Sequence, residues 1–260
     1  MKRFISFWLI ITSTLTTATE QAESIFKQLA PSLYQIRLID KASGEKSSIG
    51  SGFQISSDGL IATNYHVISS YARHPEKYRI EYLYDQGRKS SLTLESIDVI
   101  NDLALVKRQA ENDMPYFSIS ATVPSKGEEL FSLGNPHDLG MIVVPGTYNG
   151  IKIKSFYKRI HFTGSINPGM SGGPTVDGSG QVVGINVATA GNQIGFLVPV
   201  EKLHDLIKAS KQAPDLAALE AFFQQRIKEQ LEANQSELFQ HILAANWPVY
   251  NLGRASIPNE

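Results

Sequence analysis

The chain has 260 residues, of which 42% are hydrophobic and 19% charged, and its formal net charge is −1. This apolar content excludes a disordered chain, and a charge near zero gives no long-range attraction to nucleic acid or anionic lipid, so neither is expected as a partner. Because the sequence has no cysteine, disulfides, thiolate catalysis and cysteine-ligated metal are excluded. The histidines lack metal-ligand spacing, and we expect no metal and no cofactor.

The first residues have the layout of a secretory signal peptide. Lys2 and Arg3 precede an apolar run from Phe4 to Leu15, and small or hydroxylated residues follow up to Ala18. The run is about twelve residues long, short of the roughly 20 that a membrane-spanning helix needs. We therefore predict a signal peptide over residues 1–18, export to the periplasm or the extracellular space, and no stable membrane insertion after its removal. An uncleaved membrane anchor is the alternative.

Short strands separated by turn residues fill the middle of the chain. A predicted helix over 20–30 is ended by Pro31. The predicted strands are 33–39, 49–56, 60–63, 78–84, 90–100 and 103–108, followed by 117–119, 129–133, 141–148, 159–162, 174–176, 182–187 and 194–198. The pattern predicts an all-β core, either a sandwich or a barrel, and argues against a parallel α/β sheet.

The final part of the chain has a helical pattern. A helix is predicted over 201–210, and one or two more follow Pro214, with Asp215 as a cap. Their apolar positions are Leu216, Leu219, Phe223, Ile227, Leu231, Leu238, Ile242 and Leu243, ending before Trp247 and Pro248. We therefore predict a helical C-terminal extension over 201–260.

The glycine-rich segment NPGMSGGP at 167–174 is the strongest chemical signal. A serine hydroxyl needs a base and a stabilised oxyanion to act as a nucleophile. Glycines around Ser171 permit a tight turn that aims the N–H groups of Gly169 and Ser171 at one point, which is how an oxyanion hole is built. The alternative is a β turn with a solvent-facing serine.

Two further segments supply candidate partners for Ser171. His66 ends a β-rich run and can exchange a proton near neutral pH, although a lone histidine is more often structural. Asp102 lies inside an apolar stretch, where a carboxylate needs a partner, and orienting His66 would provide one. The alternative is an aspartate that caps a turn, a role that Asp98 could share. The order His, Asp, Ser is that of the chymotrypsin-type triad.

A competing motif overlaps the same serine. GMSGG at 169–173 fits the nucleophile elbow of α/β-hydrolases, which requires a strand before it and a helix after it. The residues that follow Ser171 predict a β-hairpin instead. The hydrolase order would also require Asp177 or Asp205 to act with His241, and we consider this the weaker interpretation.

A series of ordered blocks resembles the HtrA/Deg branch of the trypsin-like serine proteases. The blocks are GSGF at 50–53, DGLI at 58–61, TNYHV at 63–67, DLALV at 102–106, LGNP at 133–136, INPGMSGGP at 166–174, GIN at 184–186 and GFLVP at 195–199. The resemblance implies a chymotrypsin-like double β-barrel over 19–200, with barrels at about 25–112 and 113–200. It implies His66 as general base, Asp102 as its orienting partner, Ser171 as nucleophile, and Gly169 and Ser171 as the oxyanion hole.

The sequence departs from that family at several points. Met170 stands where the family usually has Asn, and Thr163 where it often has Asp. The family commonly carries PDZ domains after the protease, whereas the helical pattern from Glu201 onward predicts none here. We therefore carry over neither peptide-tail sensing nor PDZ-built cages, and the sequence leaves a homo-oligomer open.

The resulting functional hypothesis is an exported serine endopeptidase that cleaves polypeptides through an acyl-enzyme, in protein quality control or processing. The S1 pocket is expected to involve Thr163, Gly164, Ser165, Ile166, Asn186, Val187 and Ala188. None of these is charged, so small or medium aliphatic P1 residues are expected. The alternative function is a protease-fold binding or chaperone-like module with little hydrolytic activity.

Overall fold

A computed structural model describes residues 18–84, 87–109, 114–152, 155–189, 191, 193–210, 218–245, 249–252 and 255–258. The predicted signal peptide lies outside these residues except for Ala18, which begins the first helix, α1 (Ala18–Leu29). The predicted cap Asp215, with Leu216 and the Trp247-Pro248 pair, also lies outside the described residues.

The first half of the chain forms a closed antiparallel barrel. Its strands are β1 (Leu33–Asp40), β2 (Lys46–Gln54), β3 (Leu60–Thr63), β4 (Tyr78–Tyr84), β5 (Arg88–Asp98) and β6 (Leu103–Lys107), in the order β1-β2-β3-β6-β5-β4. Pairing of β1 with β4 closes the barrel. Helix α2 (Tyr65–Arg73) crosses between β3 and β4, and its apolar face, Val67 and Ile68, is buried in the barrel core.

The second half repeats this architecture. Its strands are β7 (Glu129–Gly134), β8 (Ile142–Ile151), β9 (Ile160–Thr163), β10 (Pro174–Val176), β11 (Val182–Thr189) and β12 (Ile194–Pro199), in the order β10-β11-β12-β9-β8-β7. Pairing of β10 with β7 closes this barrel. The two barrels confirm the predicted fold class. An apolar cluster joins them, with Phe53 and Leu105 from the first barrel and Phe131 and Val198 from the second.

Three helices outside the barrels complete the packing. Helix α1 and helix α3 (Val200–Ala209) bury Ile25 and Leu203 in the cluster between the barrels. Helix α4 (Leu219–Ala244) packs Leu219 and Phe223 against the core of the first barrel. Among the described residues, no helix has both the length and the apolar character needed to cross a membrane.

Besides shifts of up to three residues in strand bounds, two elements differ from the sequence-based expectations. The predicted strand at 117–119 is wrong, because its only pairing with the described residues is a single bridge from Ile119 to Val182. The Phe117 N–H donates instead to Gln54 O, so this segment is divided between the two barrels. A hairpin of β13 (Val249–Leu252) and β14 (Ala255–Pro258) follows α4 and was not predicted.

Candidate active site

The first turn of α2 brings His66 against Asp102. The His66 Nδ1 atom lies 2.7 Å from Asp102 Oδ2, and the His66 backbone N–H donates to Asp102 Oδ1 at 2.8 Å. Both carboxylate oxygens of Asp102 are therefore engaged by one residue, which fixes the rotation of the imidazole. The His66 side chain is 48% exposed and that of Asp102 is 19% exposed, so the imidazole is open to solvent while its carboxylate partner is largely covered.

A tight turn between β5 and β6 presents Asp102. Its φ of 63° is in the left-handed region, which aspartate tolerates better than most residues. The Asn64 side-chain amide donates to the Asp102 carbonyl at 2.8 Å. Asp98 accepts hydrogen bonds from the backbone and side-chain nitrogens of Asn101 at 2.9 and 2.7 Å. Asp98 thus caps the turn, while the carboxylate of Asp102 binds His66.

The glycine-rich segment places Ser171 beside β2, β3 and the start of α2. The Ser51 N–H donates to Ser171 O at 2.7 Å. A Cβ atom on Gly172 would lie 2.4 Å from Thr63 Oγ1 and 2.8 Å from the Asn64 nitrogen, so only glycine fits. The Ser171 hydroxyl donates to Val187 O at 3.2 Å, and within the described residues no hydrogen bond joins it to His66. The segments of Ser51, Thr63 and Ser171, which are distant in the sequence, therefore lie side by side.

The turn before Ser171 leaves two backbone donors available. Among the described residues, neither the Gly169 N–H nor the Ser171 N–H donates to a protein acceptor. Pro168 O accepts from the His137 N–H at 2.8 Å. In a planar trans peptide, the Gly169 N–H must then point away from the His137 loop. Gly169 has a φ of 95°, and a Cβ atom there would lie 2.3 Å from Asn135 O.

The loop that supports this turn spans the two barrels. Asp138 accepts hydrogen bonds from Gln35 and Lys46, each at 2.6 Å, and pairs with Arg37 at 3.0 Å. These contacts, with that to Lys46 the largest, lower the pKa of Asp138 to about 2. Sequence reasoning missed this anchor. The LGNP block at 133–136 precedes it, but no pattern connected Asp138 to the first barrel.

Two residues singled out from the sequence have buried side chains. Met170 is fully buried in the core of the second barrel beside Leu130 and Leu197. Asn186 is also fully buried, and its side chain accepts from Ser132 and Thr175 and donates to Leu133 O and Met170 O. The Asn186 side chain thus holds the turn before Ser171 in place.

The other residues of the expected S1 pocket have varied surroundings. Ile166 is buried, and Gly164 lies against the Phe162 ring. Thr163 is exposed and its hydroxyl accepts from the Asn149 amide at 2.6 Å. Ser165 and Val187 are half-buried, and the Val187 carbonyl is the acceptor for Ser171. The side chain of Ala188 lies outside the described residues.

Helix α4 also reaches the turn that carries Asp102. Gln230 accepts from the Val99 N–H at 2.7 Å and donates to Ile97 O at 2.8 Å. Arg159 donates to Asn101 O at 3.5 Å, and burial lowers the pKa of its guanidinium while Asp102 and Asp98 oppose that shift. No sequence pattern distinguished Gln230 from other helix glutamines.

Comparison with known proteins gives a consistent set of relatives. Residues 50–185 match the family described as trypsin-like peptidase domain. The chain is 32% identical over 171 residues to a protein named probable periplasmic serine endoprotease DegP-like, from Chlamydia pneumoniae, covering 62% of this chain and 34% of that protein. It is 30% identical over 198 residues to serine protease HTR4 of Rattus norvegicus, covering 71% and 39%. The chain thus spans between a third and two fifths of the length of these curated relatives.

Two solved structures are similar to this chain in fold. A serine endoprotease from Yersinia pestis matches with a TM-score of 0.63 and 28% identity, over 72% of this chain and 65% of that chain. Deg5 matches with a TM-score of 0.62 and 25% identity, over 73% of this chain and 93% of that chain.

Proposed function

Because the chain belongs to the trypsin-like peptidase family, in its HtrA/Deg branch, we propose that it is an exported serine endopeptidase that cleaves polypeptides. The family match confirms the resemblance stated from the sequence blocks. A role in protein quality control or processing is part of the proposal. Export is supported by the charged and apolar layout before Ala18 and by the periplasmic name of the Chlamydia relative.

The proposed reaction uses His66, Asp102 and Ser171. His66 Nε2 removes the hydroxyl proton as Ser171 Oγ bonds to the substrate carbonyl carbon. His66 then gives that proton to the departing amine as the C–N bond breaks, leaving an acyl-enzyme, and water repeats the sequence on the ester. The two-point hydrogen bond between Asp102 and His66 is the observation that carries the proposal, since it fixes the tautomer with Nε2 free to accept.

The turn before Ser171 is proposed to stabilise the charge that develops on the substrate. A tetrahedral oxyanion needs two N–H donors that are not already used, and those of Gly169 and Ser171 meet this condition. The resting hydroxyl must rotate away from Val187 O before it can reach His66. In this scheme the Val187 carbonyl holds the serine between turnovers.

An uncharged S1 pocket is proposed to select small or medium aliphatic P1 residues. Thr163, Gly164, Ser165, Ile166 and Val187 bear no charge, and neither does Ala188. Asn186 would contribute through its backbone, because its side chain is committed to the barrel interior. A peptide-library cleavage profile should therefore show aliphatic P1 residues, and a profile dominated by Lys or Arg would contradict this specificity.

Labelling with a fluorophosphonate probe tests the activity directly. The wild-type chain should be labelled, whereas Ser171→Ala and His66→Ala should not. Ser179→Ala is the matched control, because this exposed serine lies in the turn between β10 and β11, donates to Asp177 and belongs to no proposed site. Labelling that persists in Ser171→Ala would overturn the assignment of the nucleophile.

The resting hydrogen bond from Ser171 to Val187 O favours one second candidate, a protease-fold binding or chaperone-like module. If the hydroxyl cannot leave this carbonyl, the chain would retain polypeptide binding without hydrolysis. A folded wild-type chain that binds denatured casein, yet neither reacts with the probe nor cleaves the casein, would support this function over the peptidase.

A further inference from the structure

A cavity outside the catalytic groove has an unusual combination of cations and aromatic rings. It has a volume of about 890 Å³ and lies between helix α1 and the first barrel. None of the residues assigned to catalysis lines it. The side chains that give it its character are Lys27, Arg88, Arg108, Tyr34, Tyr82 and Tyr84.

Arg108 is the central cation of this cavity. It follows β6, is only 6% exposed, and donates from Nη1 to the Tyr34 hydroxyl at 3.0 Å. Its guanidinium lies 5.8 Å and 5.6 Å from the ring centres of Tyr34 and Tyr82, a distance at which cation–π attraction operates. Within the described part of the chain, its Nε has no hydrogen-bond partner. Rings and one hydroxyl therefore position the Arg108 guanidinium.

The positive charge of Arg108 is not neutralised by the described residues. No carboxylate in this part of the chain forms an ion pair with it, and none of the described lining residues is acidic. Lys27 pairs with Glu23 at 2.5 Å on the surface of α1, and the Arg88 guanidinium lies 5.2 Å from the Tyr84 ring centre. A buried unpaired charge is costly, and a bound anion would offset that cost.

We propose that this cavity binds an organic carboxylate, with the anionic group beside Arg108 and an aromatic or apolar body against Tyr82 and Tyr84. One buried guanidinium balances one negative charge, which favours a carboxylate over a phosphate dianion. The stacked rings of Tyr82 and Tyr84, 5.2 Å apart, form a flat wall suited to a second ring. Burial raises the pKa of Tyr34, so its hydroxyl stays neutral. The carboxylate could come from a free aromatic acid or from the C-terminus of a polypeptide.

Calorimetric titration of the full chain distinguishes these sources. The ligands are phenylacetate, acetate, inorganic phosphate, and a hexapeptide ending in phenylalanine with a free or an amidated C-terminus. Peptides are titrated into Ser171→Ala, which lacks the proposed nucleophile. Phenylacetate should bind about tenfold more tightly than acetate, and the free-acid peptide about tenfold more tightly than its amide. Binding of either carboxylate supports the site, and the tighter of the two identifies the source.

Substitutions of residues that line the cavity test whether binding occurs there. Arg108→Gln should weaken phenylacetate binding about tenfold or more, while Arg79→Gln, an arginine of β4 that pairs with Glu81 outside the cavity, should leave it unchanged. Because Arg108 is buried, Tyr84→Ala provides a milder test and should weaken phenylacetate but not acetate. The proposal is overturned if no carboxylate binds, if phosphate binds more tightly than both carboxylates, or if Arg79→Gln weakens binding as much as the cavity variants.

Discussion

The two barrels differ in how far the side chains proposed for catalysis are already positioned. In the first barrel, His66 and Asp102 already share two hydrogen bonds, and Gln230 of helix α4 holds the turn behind them. In the second barrel, Ser171 donates to Val187 O. Under the proposed mechanism, the first barrel therefore presents a complete acid–base pair, whereas the Ser171 hydroxyl must rotate before it can reach His66.

The supports of the two halves also differ. The first half is braced by side chains that bond directly to the backbone of the Asp102 turn. The second half depends on glycine conformation and on a loop that Asp138 anchors across the barrel interface. Substitutions in the first barrel should therefore act on proton transfer, and substitutions in the second on the stabilisation of the oxyanion.

The largest effect is expected for Asp102→Asn. The amide cannot hold the imidazole tautomer with Nε2 free, so kcat should fall on the order of 10⁴-fold while the fold is retained. Turnover of a fluorogenic aliphatic-P1 peptide measures this. Asp98→Asn is the control, since the Asp98 carboxylate accepts from Asn101 in the same turn and has no hydrogen bond to His66 among the described residues; this variant should mainly lower stability. Comparable losses of kcat in both variants would remove the distinction between the two aspartates.

Gly169→Ala tests the second barrel. The new Cβ would clash with Asn135 O at 2.3 Å, which should displace one oxyanion donor and lower kcat by about 10²–10³-fold. Gly127→Ala is a matched control, because Gly127 has a φ of 93° and no atom of the described residues lies within 4 Å of the added Cβ. The Gly127→Ala variant has the backbone strain without the steric clash, so its kcat should stay near that of the wild type. An unaffected Gly169→Ala would place the oxyanion donors elsewhere.

Gln230→Ala measures how much the helix contributes to the first barrel. Loss of its two hydrogen bonds should lower the free energy of unfolding by about 2 kcal/mol. The fall in kcat should stay below the roughly 10²-fold that a misplacement of one ångström produces. Denaturant unfolding and kcat are compared with Gln225→Ala, whose amide donates to Glu229 on the same helix. Equal stability of the two variants would show that the contact to the turn is dispensable.

Asp138→Asn should have the smallest effect, and one that depends on pH. The pKa of Asp138 is lowered from 3.8 to about 2, so its stabilisation is complete above pH 3.8 and is lost as the pH falls toward 2. Water screens this partly exposed cluster, and we expect about 1 kcal/mol at pH 6. Thermal unfolding from pH 6 to pH 2 should show the wild type and the variant converging. A constant difference across that range would contradict this role.

Many of the strands could be predicted from the local sequence pattern. The bounds of β3, β4 and β10 match the predicted strands because turn residues flank alternating or buried apolar runs. The strand prediction at 117–119 was wrong because a short run with two apolar residues resembles a strand in the sequence. Its hydrogen-bond partners depend on tertiary contacts between the barrels. The C-terminal hairpin was missed because its strands are short and follow a helical pattern.

Candidate site residues could be chosen from the sequence where the proposed chemistry restricts the residue type. His66, Asp102 and Ser171 stand in blocks whose order is informative, and the structure brings their segments together. The contacts of Gln230 and Asp138 could not be predicted from the sequence, because a glutamine on a helix and an aspartate in a loop have many possible roles. Their contacts join residues far apart in the chain, such as Gln230 with Val99, and only the folded arrangement reveals them.

The burial of Leu219 and Phe223 in the first barrel affects the order in which the protein can form. The core laid down by residues 33–107 lacks these two side chains until the ribosome has made a segment more than a hundred residues later. A chain that ends before α4 therefore leaves an apolar opening in the first barrel, while the second barrel has all of its strands. A nascent chain halted before α4 should be a better client for chaperones than the finished one.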